Sequence, residues 1–353
     1  MASKITTQLA GTLFSSAVPD LHFSSSGHKV FVKLWEPSAA EGSSFLTAEL
    51  DVYNQIATLY EVRDAVEEYM LAANKVYINF SVSYKDDTEN NWHLAAADVV
   101  YCKRDANVDA ASWLQSYFLT TRTAKQLPVD GIDSVACYME STGQDVTPVF
   151  TIVARKQDCS LTTLHYTPDA LTNSTRIVTY ALSEANIAAK AAELAGQDVK
   201  ILSVAMAVGA RMITWYVSPV KEDLTLNFKN CFGIQERAPL NAVTEAVTTD
   251  SRKVALVARN AELYNISPQR SFEVQTALLS SEAAKWIDEL LTSNEVYIDD
   301  DKIIITDYTY NVSNNRESMS NVKFTYRYVS PRAKLKGQQL QRIFTQQYDY
   351  IFN

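Results

Sequence analysis

The sequence predicts an α+β protein, mainly β, built as two tandem β-sandwich-like units with helices packed on each. Three observations carry this. Stretches alternating between apolar and polar residues, such as "HKVFVKLWE" (28–36) and "KVYINFSVSY" (75–84), recur along the 353 residues with the period of half-buried strands. Only a few segments have helical spacing. One pattern also occurs twice: "DAASWLQSYFLTT" (109–121) and "EAAKWIDELLTSN" (282–294) align without a gap, setting Trp113 against Trp286. Each follows a strand-like stretch, "ADVVYCK" and "SFEVQTA". The echo points to internal duplication. It suggests an N-terminal arm (1–27), a first β-rich unit with two helices (28–158), a second (159–332) and a C-terminal extension (333–353).

The elements follow in order. Residues 1–27 are rich in Ser, Thr and Ala without a period, which reads as an arm ordered against a neighbour. Strands at 28–36 and 45–54 flank the loop "PSAAEGSS". A helix is expected over 58–74, because Leu59, Val62, Val66, Tyr69, Met70 and Ala73 share one face, with Thr58 and Glu61 as a capping box. The strand 75–84 and a polar turn lead to the strand 97–103 and a helix over 108–119. Strands "DSVACYME" (133–140) and "TPVFTIVARK" (147–156) close the first unit.

The second unit opens with "CSLTTLHYTP" (159–168) and "TRIVTYAL" (175–182). Ser183 caps a helix that Gly196 ends. Two strands turn at Gly209 and stop before Pro219. Then come strands in "DLTLNFKNCFG" (223–233), "RKVALVARNAELYNI" (252–266) and "SFEVQTA" (271–277). The next helix carries an apolar stripe of Ala283, Trp286, Ile287 and Leu290. "NEVYI" (294–298) and a hairpin over 302–330, turning at Asn314-Asn315, finish the unit. The tail is basic, then Gln-rich, then aromatic, as in a segment that docks on something.

Composition excludes several functions. A net charge of −9 argues against a broad nucleic-acid surface. No apolar run is long enough to cross a bilayer, since the longest candidate is broken by Lys200 and Arg211, and no membrane partner is expected. The N-terminus fits a secretory signal poorly, because Thr12, Ser15 and Ser16 interrupt its apolar stretch. Cys102, Cys137, Cys159 and Cys231 stand singly, without zinc or redox spacing. His22, His28, His93 and His165 share no ligand spacing. Nucleotide-binding, hydrolase-elbow and zincin motifs are missing.

Asp299, Asp300 and Asp301 could offer oxygens to a hard cation, but they lack the spacing of a calcium loop and read as a solvated turn. N-x-S/T triplets at Asn79, Asn173, Asn265 and Asn311 matter only in a glycosylating pathway. The expectation is therefore no catalytic, cofactor-binding or metal site, and no enzyme.

Three stretches carry a resemblance: "LTLNFKNCFGIQERAPL", "SFEVQTALLSSEAAKWIDELLTSNEVYI" and "IIITDYTYNVSNNRESMSNVKFTYRY". With "EVRDAVEEYM" and "DAASWLQSYFLTTRTAKQL" earlier in the chain, they resemble a family of uncharacterised tail or baseplate structural proteins of gut Bacteroidales phages and prophages. The resemblance spans most of residues 28–332. In outline the units are also similar to distal-tail proteins, by fold-level analogy. The resemblance implies a virion tail protein, made in the host bacterial cytoplasm. It implies partners that are copies of the same chain, in a homo-oligomeric ring, and other tail proteins. The alternative is a glycan- or receptor-binding β-sandwich at a tail tip or cell surface, in which Trp35, Trp92 or Trp215 stacks on sugars; Trp92, beside the polar turn, is the best placed. A hydrolase of unrecognised type is the third class.

Overall fold

In a computed structural model, residues 3–37, 44–105, 107–169, 171–257, 260–310 and 319–330 are described. The protein is mainly β; among the described residues there are four α-helices, and the buried apolar residues gather into three main cores joined by a fourth, smaller cluster.

The first core lies between two sheets. β1 (Lys4–Ile5), β2 (Thr12–Phe14), β3 (Leu21–Ser24), β4 (Lys29–Trp35), β5 (Ser44–Asp51) and β6 (Ile56–Leu59) precede helix α1 (Val62–Ala72); β7 (Tyr77–Asp86) and β8 (His93–Val100) follow it. One sheet runs β1-β3-β6 and the other β2-β8-β7-β4-β5. Alternation works as expected: Val30, Val32 and Leu34 on β4 meet Ile78, Phe80 and Val82 of β7 in the interior. Residues 3–27 are not a free arm. Leu9, Phe14, Val18, Leu21 and Phe23 are buried, and β2 pairs in parallel with β8. Strands of two to four residues, separated by polar turns, are too short to show a period.

Helix α1 starts later than its spacing suggests. Leu21↔Leu59 pairing draws Thr58 into β6, where its Oγ1 meets His22 Nδ1. Glu61 then turns the chain with a left-handed φ of 60° and makes no side-chain cap. Sheet pairing has overridden the capping box.

Helix α2 (Ala110–Ser116) packs into the small junction cluster with Phe14, Phe232 and Tyr138. Then come β9 (Ala124–Pro128), β10 (Ile132–Tyr138), β11 (Asp145–Val146), β12 (Val149–Arg155), β13 (Leu161–Tyr166), β14 (Leu171–Thr172), β15 (Ile177–Ser183), helix α3 (Glu184–Ala195), β16 (Lys200–Val208) and β17 (Arg211–Ser218). The sheet β13-β12-β16-β17-β9 faces the pair β10-β15 and α3 across the second core, with Trp215 fully buried. The reversal at Gly209 (φ 59°) and the left-handed cap at Gly196 (φ 66°) stand where the sequence puts them.

The expected division at 158/159 falls inside the β12–β13 hairpin, whose turn is closed by Lys156 N–H to Ser160 O at 2.9 Å. "KQDCS" is a hairpin turn with the composition of a linker, and the apolar residues divide into three main cores.

The third core is one sheet and one helix. β18 (Leu224–Lys229), β19 (Gln235–Leu240), β20 (Ala242–Val257), β21 (Asn260–Thr276), helix α4 (Ser281–Leu291), β22 (Val296–Ile298), β23 (Asp301–Tyr310) and β24 (Val322–Tyr328) form the order β19-β18-β22-β23-β24-β21-β20. Ala284, Ile287 and Leu290 of α4 are buried against it. The single strand expected over 252–266 is instead the distal part of a hairpin. β23 and β24 pair as expected; the Asn314-Asn315 turn and the 333–353 extension lie outside the described residues.

The echoed helices do not share a frame. α2 is capped by Asp109, which accepts from Ser112 N–H, and α4 by Ser280, which accepts from Ala283 N–H. Trp113 thus stands four residues beyond its cap and Trp286 six, so aligning the tryptophans offsets the caps by two.

Candidate functional site

Two features stand apart from ordinary core packing: a projecting β-ribbon and a buried polar junction. The ribbon is the β20–β21 hairpin. Its pairing runs from Ala242↔Thr276 to Val257↔Asn260, with a register shift between Lys253 and Val254. β24 supports β21 only from Phe272↔Tyr326 to Gln275↔Lys323. Beyond that point, over residues 260–271, no third strand pairs with the ribbon among the described residues. At about 3.3 Å per residue it reaches roughly 40 Å from the sheet.

The junction joins the second and third cores. Lys125 on β9, Asp133 on β10 and Glu236 on β19 are only 5%, 8% and 2% exposed. Lys125 Nζ lies 2.9 Å from Glu236 Oε1 and 3.3 Å from Asp133 Oδ2. Trp215 Nε1 donates to Asp133 Oδ2 at 2.6 Å. Thr120 Oγ1 donates to Glu236 Oε1 at 2.5 Å, and Trp286 Nε1 donates to Oε2 at 3.3 Å. Lys125 Nζ and Asp133 Oδ1 make no well-aligned hydrogen bond.

Burial pushes the Asp133 carboxyl up, outweighing the pull of Lys125. Burial has the same tendency at Glu236, but Lys125 and the Thr120 hydroxyl hold that group low. Burial works against the Lys125 charge, yet attraction to Glu236 and Asp133 prevails and raises its pKa. Beside the cluster, Arg104, Thr121, Arg122, Ala124, Lys285 and Trp286 help line an open cleft of about 320 Å³. The Arg122 guanidinium lies 5.5 Å from the Trp286 ring centre. Nothing in the sequence marks this cluster, because its members are far apart in the chain and two lie on short strands without clear alternation.

A second joint centres on Glu289 of α4. Its Oε1 accepts from Cys231 N–H at 2.5 Å and its Oε2 from Thr121 Oγ1 at 2.9 Å, with Arg104 at 3.5 Å. Lys103 N–H donates to Cys231 O at 2.8 Å, tying the end of β8 to the same point. Cys102 and Cys231 share a hydrogen bond, which lowers the Cys102 thiol and raises that of Cys231. Cys102, Cys137 and Cys231 are buried and Cys159 is exposed; all four are free thiols.

The tryptophans considered for stacking separate clearly. Trp215 is inaccessible, and Trp35 is half-buried with Nε1 donating to Ser83 Oγ at 2.9 Å. Trp92 is 41% exposed, but the Lys33 and Lys85 ammonium groups lie 4.8 and 5.4 Å from its ring centre. The histidines do not converge: His22 meets Thr58, His93 meets Glu89 and His165 meets Thr151. Asp299 and Asp300 form the two-residue turn between β22 and β23, with Asp299 at φ 52°. Asn79 lies on β7, and the Asn173 amide is buried and donates to Ser141 O and Thr175 O. The Asn265 side chain and Asn311 lie outside the described residues. Among the described residues, no three His, Cys, Asp or Glu groups are placed to hold a metal ion, and no helix is long and apolar enough to cross a membrane.

No family model and no curated protein matches the chain. Solved structures similar to it include the crystal structure of the calcium-binding domain CBD12 of CALX1.1. That match has 9% identity and a TM-score of 0.17, over 56% of this chain and 76% of that one. At that level the likeness carries no argument about function.

Proposed function

We propose that this chain is a structural subunit of a phage tail or baseplate, assembling with copies of itself into a ring or adaptor beside other tail proteins, without a catalytic role. The observation that supports this most is the projecting ribbon. A two-stranded hairpin alone in water is marginally stable, and its edges invite further strands. A ribbon reaching this far beyond its sheet gains cover when it lies on a neighbouring subunit. Contacts of that kind, from one patch to a different patch on the next copy, close rings. β5, β13, β19 and β20 each end a sheet among the described residues and offer edges to receive it. The resemblance to Bacteroidales phage proteins supplies the tail setting. The glycan-binding alternative would rest on Trp92, whose ring already holds two lysines.

The test is a ribbon truncation. Residues 249–269 are replaced by Asn-Gly, so that the Thr248↔Arg270 pair closes a two-residue turn. Light scattering and electron microscopy should show closed oligomers for the full chain and monomers of unchanged thermal stability for the truncated one. Monomers of the full chain at every concentration, with absence of the protein from purified virions by mass spectrometry, would sink the proposal.

A further inference from the structure

We infer that Lys125 and Asp133 form an intramolecular isopeptide bond, with Glu236 as the general base, so that the chain cross-links itself where its second core meets its third. The junction holds what this condensation needs: an amine, a carboxyl carbon, a base and an oxyanion donor, enclosed away from water.

The geometry assigns the roles. Lys125 Nζ sits at ion-pair distance from both carboxylates, 3.3 Å from Asp133 Oδ2 and 2.9 Å from Glu236 Oε1, but is aligned as a hydrogen-bond donor to neither. Its amine therefore stands beside the Asp133 carboxyl, with Glu236 on its other side. The Trp215 indole N–H, 2.6 Å from Oδ2, faces the oxygen on which negative charge develops when the carbon becomes tetrahedral. Oδ1, buried and without an aligned partner, is the oxygen free to leave. Glu236 is oriented by Thr120 and Trp286, so its Oε1 is held against the amine.

The step balances without an oxidant or co-reactant. Glu236 takes one proton from the ammonium, and the neutral amine attacks Cγ of protonated Asp133. The Nζ–Cγ bond forms and the Cγ–Oδ1 bond breaks. The amine's second lost proton joins the hydroxyl on Oδ1, and water departs. Glu236 is left protonated or recharges with solvent, accepting from the new amide N–H. Burial favours this exchange, because a lone buried ion pair pays a desolvation penalty that a neutral amide avoids. The reacting groups are also held side by side by two sheets, the condition under which effective concentrations are large. The link would fasten β9, the edge strand of its sheet, to β10 of the facing pair.

Mass spectrometry decides. The intact purified chain should weigh one water less than its sequence. Trypsin should fail to cut after Lys125, giving one peptide from Thr123 to Arg155 with a ring between positions 125 and 133. Asp133→Asn should lose ammonia in place of water, and Glu236→Gln and Lys125→Arg should keep their full sequence masses. A full sequence mass for the natural chain, with normal cleavage after Lys125, overturns the proposal whether or not any variant folds. A missing water that maps to Asp130-Gly131, where a succinimide forms, with Lys125 still cleaved, overturns it too.

Discussion

Glu289 offers a sharp test of how the cores are held together. The residue is 6% exposed, and its side chain receives the Cys231 N–H on one oxygen and the Thr121 hydroxyl on the other, with Arg104 close to the second. Glu289→Gln keeps the shape but supplies only one acceptor oxygen. Whichever way the amide turns, its NH₂ faces a donor. Hydrogen bonds to charged groups are worth about 1.5–3 kcal/mol, and a buried donor left unpaired costs about 1–3 kcal/mol. Easier burial of the neutral amide offsets part of this, so the net loss is about 2–4 kcal/mol. At about 2.1 cal/mol/K per residue, a chain of this length unfolds with an entropy of about 0.7 kcal/mol/K, and a loss of 3 kcal/mol lowers Tm by about 4 °C. Separate melting of the cores would concentrate the shift in the transition that contains α4. Thermal melts followed by circular dichroism and tryptophan fluorescence measure it. A Tm within about 1 °C of the parent would refute the reasoning, because it would mean that the Cys231 and Thr121 donors find other partners at no cost.

Two further outcomes are expected. Glu89 is held down to about 2: burial alone would raise it, but Ser3 through N–H and Oγ, Asp86 N–H and His93 all bond its carboxylate. A carboxyl depressed in the folded state stabilises fully above its ordinary 4.5 and loses that contribution as pH falls toward about 2. Glu89→Gln should therefore be less stable than the parent at neutral pH, with the gap closing in acid melts; a gap that persists at low pH would contradict this. Trp92→Ala should lower stability by about 1–2 kcal/mol, since it removes two exposed cation–π contacts worth about 0.5–1 kcal/mol each. Neither form should bind a glycan array saturably, and saturable binding lost in the variant would favour the glycan-binding alternative.

Much of the fold was legible because its strands are long and one-sided. β4 and β12 bury every second residue, and β7 and β16 keep most of that alternation, so their ranges follow the pattern in the sequence. The missed strands are the short ones: β1, β2, β3, β6, β11 and β14 have two to four residues, too few to display a period. β9 and β19 escaped for another reason. "AKQLP" and "QERAPL" carry proline and buried charge, which read as loop until the partner charges are seen together. The buried junction was illegible on principle, since Lys125 and Glu236 are 111 positions apart and nothing local marks them as partners. The projecting ribbon was half visible: "RKVALVARNAELYNI" has strand composition, but no glycine or proline divides it into two arms.

The ribbon has a consequence for how such a chain diversifies. Because no third strand pairs with residues 260–271 among the described residues, matched residues can be inserted or removed in the two arms without breaking another strand pairing. Each added pair of positions in both arms lengthens the reach by about 6.6 Å and keeps the same sides facing out. Related chains could change the ribbon's span through this one element, leaving the three cores untouched.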